Sequence, residues 1–170
     1  MRFSVGEMIV HPTYGIGKVV GIENMQYQGT ESHPFYKISL ENGVIWVQVD
    51  DAGEARLRPL TPAGELDSYR QVLTSTPTPL SDDRYKRYSE CNARLKSPSF
   101  RVWCELVRDL TAHGAIKRLN EYDSSTLRKV SDIVAREWAL SSGIPFVDAV
   151  KEIKTILLES QNNRMTGQAS

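Results

Sequence analysis

The feature that most constrains the fold is a change in hydrophobic period at Thr61. Before this residue, apolar side chains come in short runs separated by Gly and Pro turns, and after it they recur every three to four residues. A period of two is typical of half-buried strands, and a period of about 3.6 is typical of amphipathic helices. The chain is therefore predicted to be α+β, with a small β domain over residues 1–60 followed by a compact helical bundle.

The first domain is predicted to contain short strands at residues 7–11, 17–28, 35–40, 44–49 and 55–58. Gly21 would allow a bend or bulge in the longest strand. Asn42 and Gly43 are the pair that most readily takes the positive φ angles of a type I′ hairpin turn. So many short strands in so few residues predict a small, strongly bent barrel or sheet.

The helical domain is predicted to span residues 61–160. Thr61 and Pro62 begin its first helix, Ser81 caps the second with Asp82 and Asp83 in the first turn, and Gly114 ends the third. Trp103 and Trp138 lie on apolar stripes and are predicted to be core residues. Residues 161–170 are polar and aperiodic, which predicts a flexible tail.

The charges of the chain balance overall but are unevenly distributed. The sequence holds 21 Lys and Arg against 21 Asp and Glu. Residues 1–60 carry 5 basic against 7 acidic side chains, a balance of −2, whereas residues 84–129 carry 11 against 5, a balance of +6. Because local fields steer polyanions more than the total charge does, a nucleic acid is a reasonable partner for the helical domain.

The start of the second predicted helix is the main candidate for phosphate contact. On a helix, Arg84, Arg87 and Arg94 fall on one basic face, with Tyr85 and Tyr88 on an apolar stripe beside it. Either the arginines contact phosphates or they form an ordinary solvated face. Either the tyrosines pack against the bundle or a ring stacks on a base, where stacking contributes roughly 1–3 kcal/mol. The predicted DNA-binding residues are Arg84, Tyr85, Lys86, Arg87 and Arg94.

The sequence offers little chemistry for catalysis. The three histidines, His11, His33 and His113, are scattered and form no zinc motif, and Cys91 and Cys104 lack a CxxC partner. The stretch Tyr14-Gly15-Ile16-Gly17-Lys18 lacks the spacing of a phosphate-binding loop. We therefore expect no enzyme, no cofactor and no metal.

The N-terminus lacks the apolar stretch of a secretory signal, and the longest apolar runs are too short to cross a membrane. We therefore expect a cytoplasmic protein with two reduced thiols.

The first domain contains the motifs Val5-Gly6-Glu7, Val10-His11-Pro12, Gly15-Ile16-Gly17-Lys18-Val19, Ile22-Glu23 and Leu57-Arg58, and the helical part contains Ser97 and Leu106–Leu110. As a set, these motifs resemble the CarD/CdnL family of bacterial RNA-polymerase-binding transcription regulators. The N-terminal motifs are shared with transcription-repair coupling factors. In this sequence a helical domain follows these motifs, where coupling factors have a helicase motor. In this respect the sequence is similar to the stand-alone regulators.

The resemblance implies a Tudor/SH3-like barrel that docks on the RNA polymerase β subunit. It also implies a helical domain that contacts promoter DNA, largely independently of sequence, near the upstream edge of the transcription bubble and modulates open-complex stability. Met25 and Tyr27 match positions that relatives use against polymerase. We further expect a monomer that associates with the nucleoid through polymerase.

The sequence departs from the family pattern at three positions. Arg84 stands where relatives commonly have a tryptophan that wedges into the minor groove, with Tyr85 next to it. Trp46 or its neighbour replaces an arginine on the polymerase-binding surface, and Gln48 replaces a proline. The docking residues are predicted to be Met25, Tyr27 and Trp46. The alternative function is a polymerase-binding adaptor that has lost the DNA-wedge activity and acts through protein–protein interaction.

Overall fold

The computed structural model describes residues 2–26, 29 and 31–167 of the chain. The chain divides into two units at the boundary between Leu60 and Thr61. The first unit is an antiparallel sheet and the second a helical bundle, so the predicted α+β fold class is confirmed. In the described part of the chain, no helix is both long and apolar enough to span a membrane.

The first unit is a five-stranded antiparallel sheet in the order β4-β3-β2-β1-β5. Its strands are β1 (Met8–His11), β2 (Gly15–Gln26), β3 (Ser32–Leu40), β4 (Gly43–Gln48) and β5 (Arg58–Pro59). A short helix, α1 (Asp51–Glu54), lies between β4 and β5. Within the described residues, β4 is therefore an edge strand that pairs only with β3.

One face of this sheet forms the core of the first unit. Because directly opposed residues of antiparallel strands share a face, Val19, Ile38 and Ile45 line up across three strands. The core cluster contains Phe3, Ile9, Val19, Tyr36, Ile38, Val47 and Leu57. The predicted bulge is confirmed, since the β2–β3 register shifts between Val19 and Gly21. The bulge lets Val19 reach the core in one part of β2 while Glu23 faces outward in the next.

Two local predictions for the first unit are wrong. Leu40 pairs with Gly43, so the two-residue turn is Glu41–Asn42, one residue earlier than predicted. The predicted strand at residues 55–58 is displaced, since residues 55–57 lie outside any strand and β5 begins only at Arg58. The residues before it form α1, which Asp50 caps by accepting a hydrogen bond from the Gly53 amide at 2.6 Å.

Within residues 61–167, the second unit contains a 3₁₀ turn (Ala63–Glu65) followed by five α-helices. They are α2 (Leu66–Thr74), α3 (Arg84–Leu95), α4 (Phe100–Ile116), α5 (Glu121–Ser142) and α6 (Phe146–Gly167). Trp103 and Trp138 are buried, as predicted. Gly143 ends α5 in the left-handed conformation with a φ of 71°, which glycine adopts without a Cβ clash.

Several helix ends differ from the predictions because other side chains provide the caps. Asp83, not Ser81, caps α3 by accepting from the Lys86 amide at 2.8 Å. Thr61 does not cap a helix, since its hydroxyl donates to the buried Glu137 carboxylate at 2.6 Å. Helix α4 continues past Gly114 to Ile116.

The predicted tail beginning at Gln161 also differs from the structure. Helix α6 continues to Gly167. Tertiary hydrogen bonds hold its last turns: the Ser160 hydroxyl donates to the Thr74 carbonyl at 3.2 Å, and Arg164 Nη1 donates to the Ser75 carbonyl at 3.0 Å. Residues 168–170 of that predicted tail lie outside the described residues.

Candidate functional site

The outward face of the first unit carries an exposed tryptophan on the edge strand. Trp46 lies directly opposite Lys37 of β3 and is 43% exposed. Its indole Nε1 donates to Glu23 Oε2 at 3.0 Å, and Lys37 Nζ donates to Glu23 Oε1 at 2.8 Å. Side chains from β2 and β3 thus hold the indole on the outward face, where part of it stays open to solvent.

The electrostatics of this face follow from the same contacts. The hydrogen bond from Lys37, and then that from Trp46, lower the pKa of Glu23 below its ordinary value. The carboxylate therefore stays ionised and keeps both donors in place. The Lys37 ammonium lies 5.8 Å from the centre of the Trp46 ring, within the range of a cation–π contact.

Of the other two predicted docking residues, the structure describes only Met25. Met25 pairs with His33 on the same outward face and is partly exposed. Tyr27 lies outside the described residues. Val44, which the sequence analysis did not single out, shares the outward face with Trp46 and is 41% exposed. Alternation along β4 after the turn is the signal that could have identified it.

In the second unit, three of the five predicted DNA-binding residues are exposed together at the start of α3. They are Arg84, Tyr85 and Lys86. Tyr85 is 73% exposed, and the Arg84 guanidinium lies 4.9 Å from the centre of its ring while Nη2 donates to the hydroxyl at 3.0 Å. The arginine and the aromatic ring therefore form one projecting unit.

Arg87 does not belong to an exposed basic face, which corrects the prediction of a common face with Arg84. It is only 8% exposed. Its Nε donates to Asp123 Oδ2 of α5 at 2.9 Å, and its Nη1 donates to the Ser81 carbonyl at 2.8 Å. These bonds occupy the guanidinium inside the unit, so Arg87 holds the start of α3 against α5.

Arg94 likewise has an internal partner. Its Nη2 donates to Asp109 Oδ2 at 2.8 Å, and Arg108 Nε donates to Asp109 Oδ1 at 2.8 Å. The same carboxylate accepts from the Thr78 amide at 2.9 Å. This network joins α3, α4 and the connector after α2, and it leaves Arg94 as a structural residue.

The structure adds a second segment to this surface that the sequence analysis missed. The link between α4 and α5 brings Lys117 Nζ into an ion pair with Asp82, just before α3. Its neighbours Ile116 and Arg118 are exposed, Ile116 to 83%. The Tyr88 ring lies 4.3 Å from the Tyr122 ring. The signal in the sequence that could have identified this segment is the adjacent pair Lys117 and Arg118, within the segment of net charge +6.

We call this surface the basic–aromatic cluster, defined by Arg84, Tyr85, Lys86, Tyr88, Ile116, Lys117, Arg118 and Tyr122. The hydrogen bond from Lys117 lowers the pKa of Asp82. Burial is the main cause that raises the pKa of Tyr122. The Tyr122 hydroxyl therefore stays protonated, and Asp82 stays ionised and paired with Lys117 at the edge of the cluster.

Nucleophilic and metal chemistry has little support among the described residues. Cys91 and Cys104 are both buried, and burial raises the pKa of the Cys91 thiol to about 11. His11 Nδ1 accepts from the Thr13 amide at 3.1 Å within a turn. Within the same residues, no group of three or more His, Cys, Asp or Glu side chains could hold a metal ion.

The fold and these surfaces define a two-domain interaction protein, with an exposed sheet edge in one unit and a basic–aromatic cluster in the other. Comparison with protein families gives a match to the CarD-like/TRCF RID domain over residues 3–61. It gives a second match to the CarD C-terminal domain over residues 69–154. The chain belongs to the CarD family. It is therefore an RNA-polymerase-interacting transcription factor, from a family of non-enzymatic regulators.

Proposed function

We propose that the first unit docks on the polymerase β subunit while the second contacts promoter DNA at the upstream edge of the transcription bubble and modulates open-complex stability. The observation that carries the DNA proposal is the basic–aromatic cluster. It combines exposed cations, which suit phosphates, with exposed rings, which suit a base step. Such contacts are largely independent of sequence.

The contact set in this proposal differs from the one predicted from sequence, because it omits Arg87 and Arg94 and adds Arg118. Arg84 and Lys86 would meet phosphates together with Arg118, because these cations are exposed. Arg87 acts as a positioning residue through Asp123. Arg94 is left out because Asp109 occupies its guanidinium.

The Arg84–Tyr85 pair would stand in for the wedge tryptophan that relatives commonly have. An inserted apolar ring unstacks a base step and costs a few kcal/mol, which bending offsets through new contacts. An arginine instead favours a narrow minor groove electrostatically. The hydroxyl and charge of this pair make deep insertion less favourable than for an indole, so we expect weaker stabilisation of the melted state.

Docking on polymerase would use the edge strand β4 and its outward side chains. An exposed edge can pair with a strand of another protein, and side-chain pockets then provide specificity. Trp46 and Val44 supply apolar area beside the Lys37–Glu23 ion pair. In this proposal the protein acts as a monomer in the cytoplasm and reaches the nucleoid through polymerase.

The DNA proposal is tested by retention of promoter DNA on polymerase. The double variant Arg84→Glu/Lys86→Glu should lower retention about tenfold or more, ~1.4 kcal/mol, because two attractive charges become repulsive. Binding to polymerase without DNA should be unchanged. The measurement is competitor-challenged retention of a labelled promoter fragment by the reconstituted complex.

The matched control is Lys151→Glu, which changes an exposed charge on α6. It should retain promoter DNA like the wild type. Equal retention by the double variant and the wild type would sink the DNA contact and leave the polymerase-binding adaptor as the function.

Docking is tested separately with Trp46→Ala in the full chain. Loss of the indole should weaken binding to the isolated β subunit by about tenfold or more, since a buried aromatic anchor at an interface contributes about 2 kcal/mol or more. Biolayer interferometry gives the affinity, and Tyr14→Ala, at another exposed aromatic position of the first unit, is the control. Unchanged affinity of the Trp46 variant would show that the docking surface is misassigned.

A further inference from the structure

Helices α5 and α6 leave an open apolar groove of about 650 Å³ between them. Its floor includes Leu127 of α5 and Ile153 and Leu157 of α6. At its edge, Leu158 is 59% exposed and Phe146 is 40% exposed. Large apolar side chains gathered at one site and left to solvent mark an interaction surface more often than scattered ones do.

The groove has the length of a short helix. On α6 its lining runs from Phe146 to Gln161, which is about 22 Å at 1.5 Å per residue. A helix of four turns has this length, and grooves of this kind accept the apolar face of an amphipathic helix. The groove is also partly open, since its lining residues Phe146 and Leu158 are exposed to solvent, whereas sites for small ligands usually enclose most of the ligand surface.

The charges on the groove rim indicate the character of the partner. Arg128 of α5 and Lys154 of α6 line the groove and are exposed, and neither has an ion-pair partner within residues 2–26, 29 and 31–167. The acidic residue of the lining, Asp132, is neutralised by Arg136, whose Nε lies 2.7 Å from Asp132 Oδ2. The rim therefore presents two uncompensated positive charges beside an apolar floor.

A second copy of this chain would fit these charges poorly. Pairing two such grooves would bring Arg128 and Lys154 of both copies into one interface, and like charges brought together at an interface cost free energy. An acidic partner would instead gain from each of these cations.

We propose that this groove docks an amphipathic helix with acidic flanks from another protein. Apolar side chains of that helix would contact Leu127, Leu157 and Leu158, and its carboxylates would pair with Arg128 and Lys154. This interaction is independent of the polymerase and DNA surfaces proposed above, because it uses none of their residues.

The test uses two synthetic 16-residue peptides with leucines at helical spacing. One carries glutamates on its flanks, and the other carries lysines at the same positions. In fluorescence anisotropy titrations with the full chain, the acidic peptide should bind at least tenfold more tightly than the basic one. Arg128→Glu/Lys154→Glu should reverse this preference, and Leu158→Asp should weaken the acidic peptide about tenfold.

Lys96→Glu is the control, because this exposed lysine directly follows α3 and lies outside the groove. It should leave binding of both peptides unchanged, and circular dichroism should show that all variants are folded. Equal binding of the two peptides, or no effect of Leu158→Asp, would overturn the proposal. If the wild type dimerises and Leu158→Asp abolishes the dimer, the occupant of the groove is a second copy of this chain and the proposal is wrong. If an equimolar amount of laurate displaces the acidic peptide, the occupant is an anionic amphiphile and the proposal is also wrong.

Discussion

A single side chain, Arg87, joins three parts of the helical unit. Its guanidinium bonds Asp123 at the start of α5 and the carbonyls of Ser81 and Asp82 before α3. The exposed cations Arg84 and Lys86 lie one turn away or less on the same helix. At the residue scale, the buried Arg87 side chain therefore positions the helix start that carries the exposed cations Arg84 and Lys86.

The first prediction concerns this buried ion pair. Arg87→Ala should lower the free energy of unfolding by about 3–5 kcal/mol, because it leaves the Asp123 carboxylate buried without its partner. Urea unfolding followed by circular dichroism gives the value. Arg84→Ala, at an exposed position on the same helix, should change it by less than about 0.5 kcal/mol.

A double replacement separates the pair from the packing around it. Arg87→Met/Asp123→Leu removes both charges and should recover most of the stability, since apolar residues of similar volume often replace a buried ion pair at little cost. If Arg87→Ala costs less than about 1 kcal/mol, well below the usual range for breaking a buried pair, another contact holds the start of α3 in place.

At the scale of elements, the cap of α3 orients the exposed part of the basic–aromatic cluster. Asp83 accepts from the Lys86 amide and so fixes the first turn, which carries Arg84 and Tyr85. A carboxylate at this position also interacts favourably with the helix dipole. The element that presents the cations is thus stabilised by an acidic residue beside them.

The second prediction follows from that cap. Asp83→Ala should lower the free energy of unfolding by about 1 kcal/mol, although it removes a negative charge next to a proposed DNA contact. Removing that charge favours phosphate binding, whereas loosening the first turn opposes it, so unfolding is the cleaner measurement. Glu90→Ala, an exposed acidic position on the same helix, is the control and should be close to neutral. Equal stability of Asp83→Ala and wild type would contradict the capping role.

At the scale of the whole molecule, the two proposed surfaces should affect promoter binding differently. One unit presents an apolar edge with few charges, and the other presents a cluster of cations. A docked first unit would raise the effective concentration of the second at the DNA. Retention on promoter complexes should therefore depend on both surfaces, with only one of them giving strong salt dependence.

The third prediction uses this difference in salt dependence. In plots of the logarithm of the binding constant for promoter DNA against the logarithm of salt concentration, Arg84→Ala should reduce the slope by about 0.9, because the variant makes one phosphate contact fewer. Trp46→Ala should lower retention at every salt concentration and keep the wild-type slope. A Trp46 variant with a changed slope, or an Arg84 variant without one, would contradict the assignment of roles.

How far the sequence alone can predict this protein depends on the range of the interactions involved. The period change at Thr61, the stripes that bury Trp103 and Trp138, and the bulge next to Gly21 are local patterns, and the structure agrees with them. The cap of α3 was less predictable, because Ser81 and Asp83 are both residue types that suit an N-cap. In the structure Asp83 is the cap, and its side chain accepts from the Lys86 amide.

The sequence by itself determined the fold class, the family and the location of the basic segment, because each depends on patterns among residues that are close together in the chain. Only the tertiary structure decided which of those cations reach solvent. Arg87 and Asp123 are 36 positions apart, and Arg94 and Asp109 are 15 apart. No helical or strand period relates residues so far apart. Burial and pairing therefore arise only when the helices pack, and they divide similar arginines into structural and exposed ones.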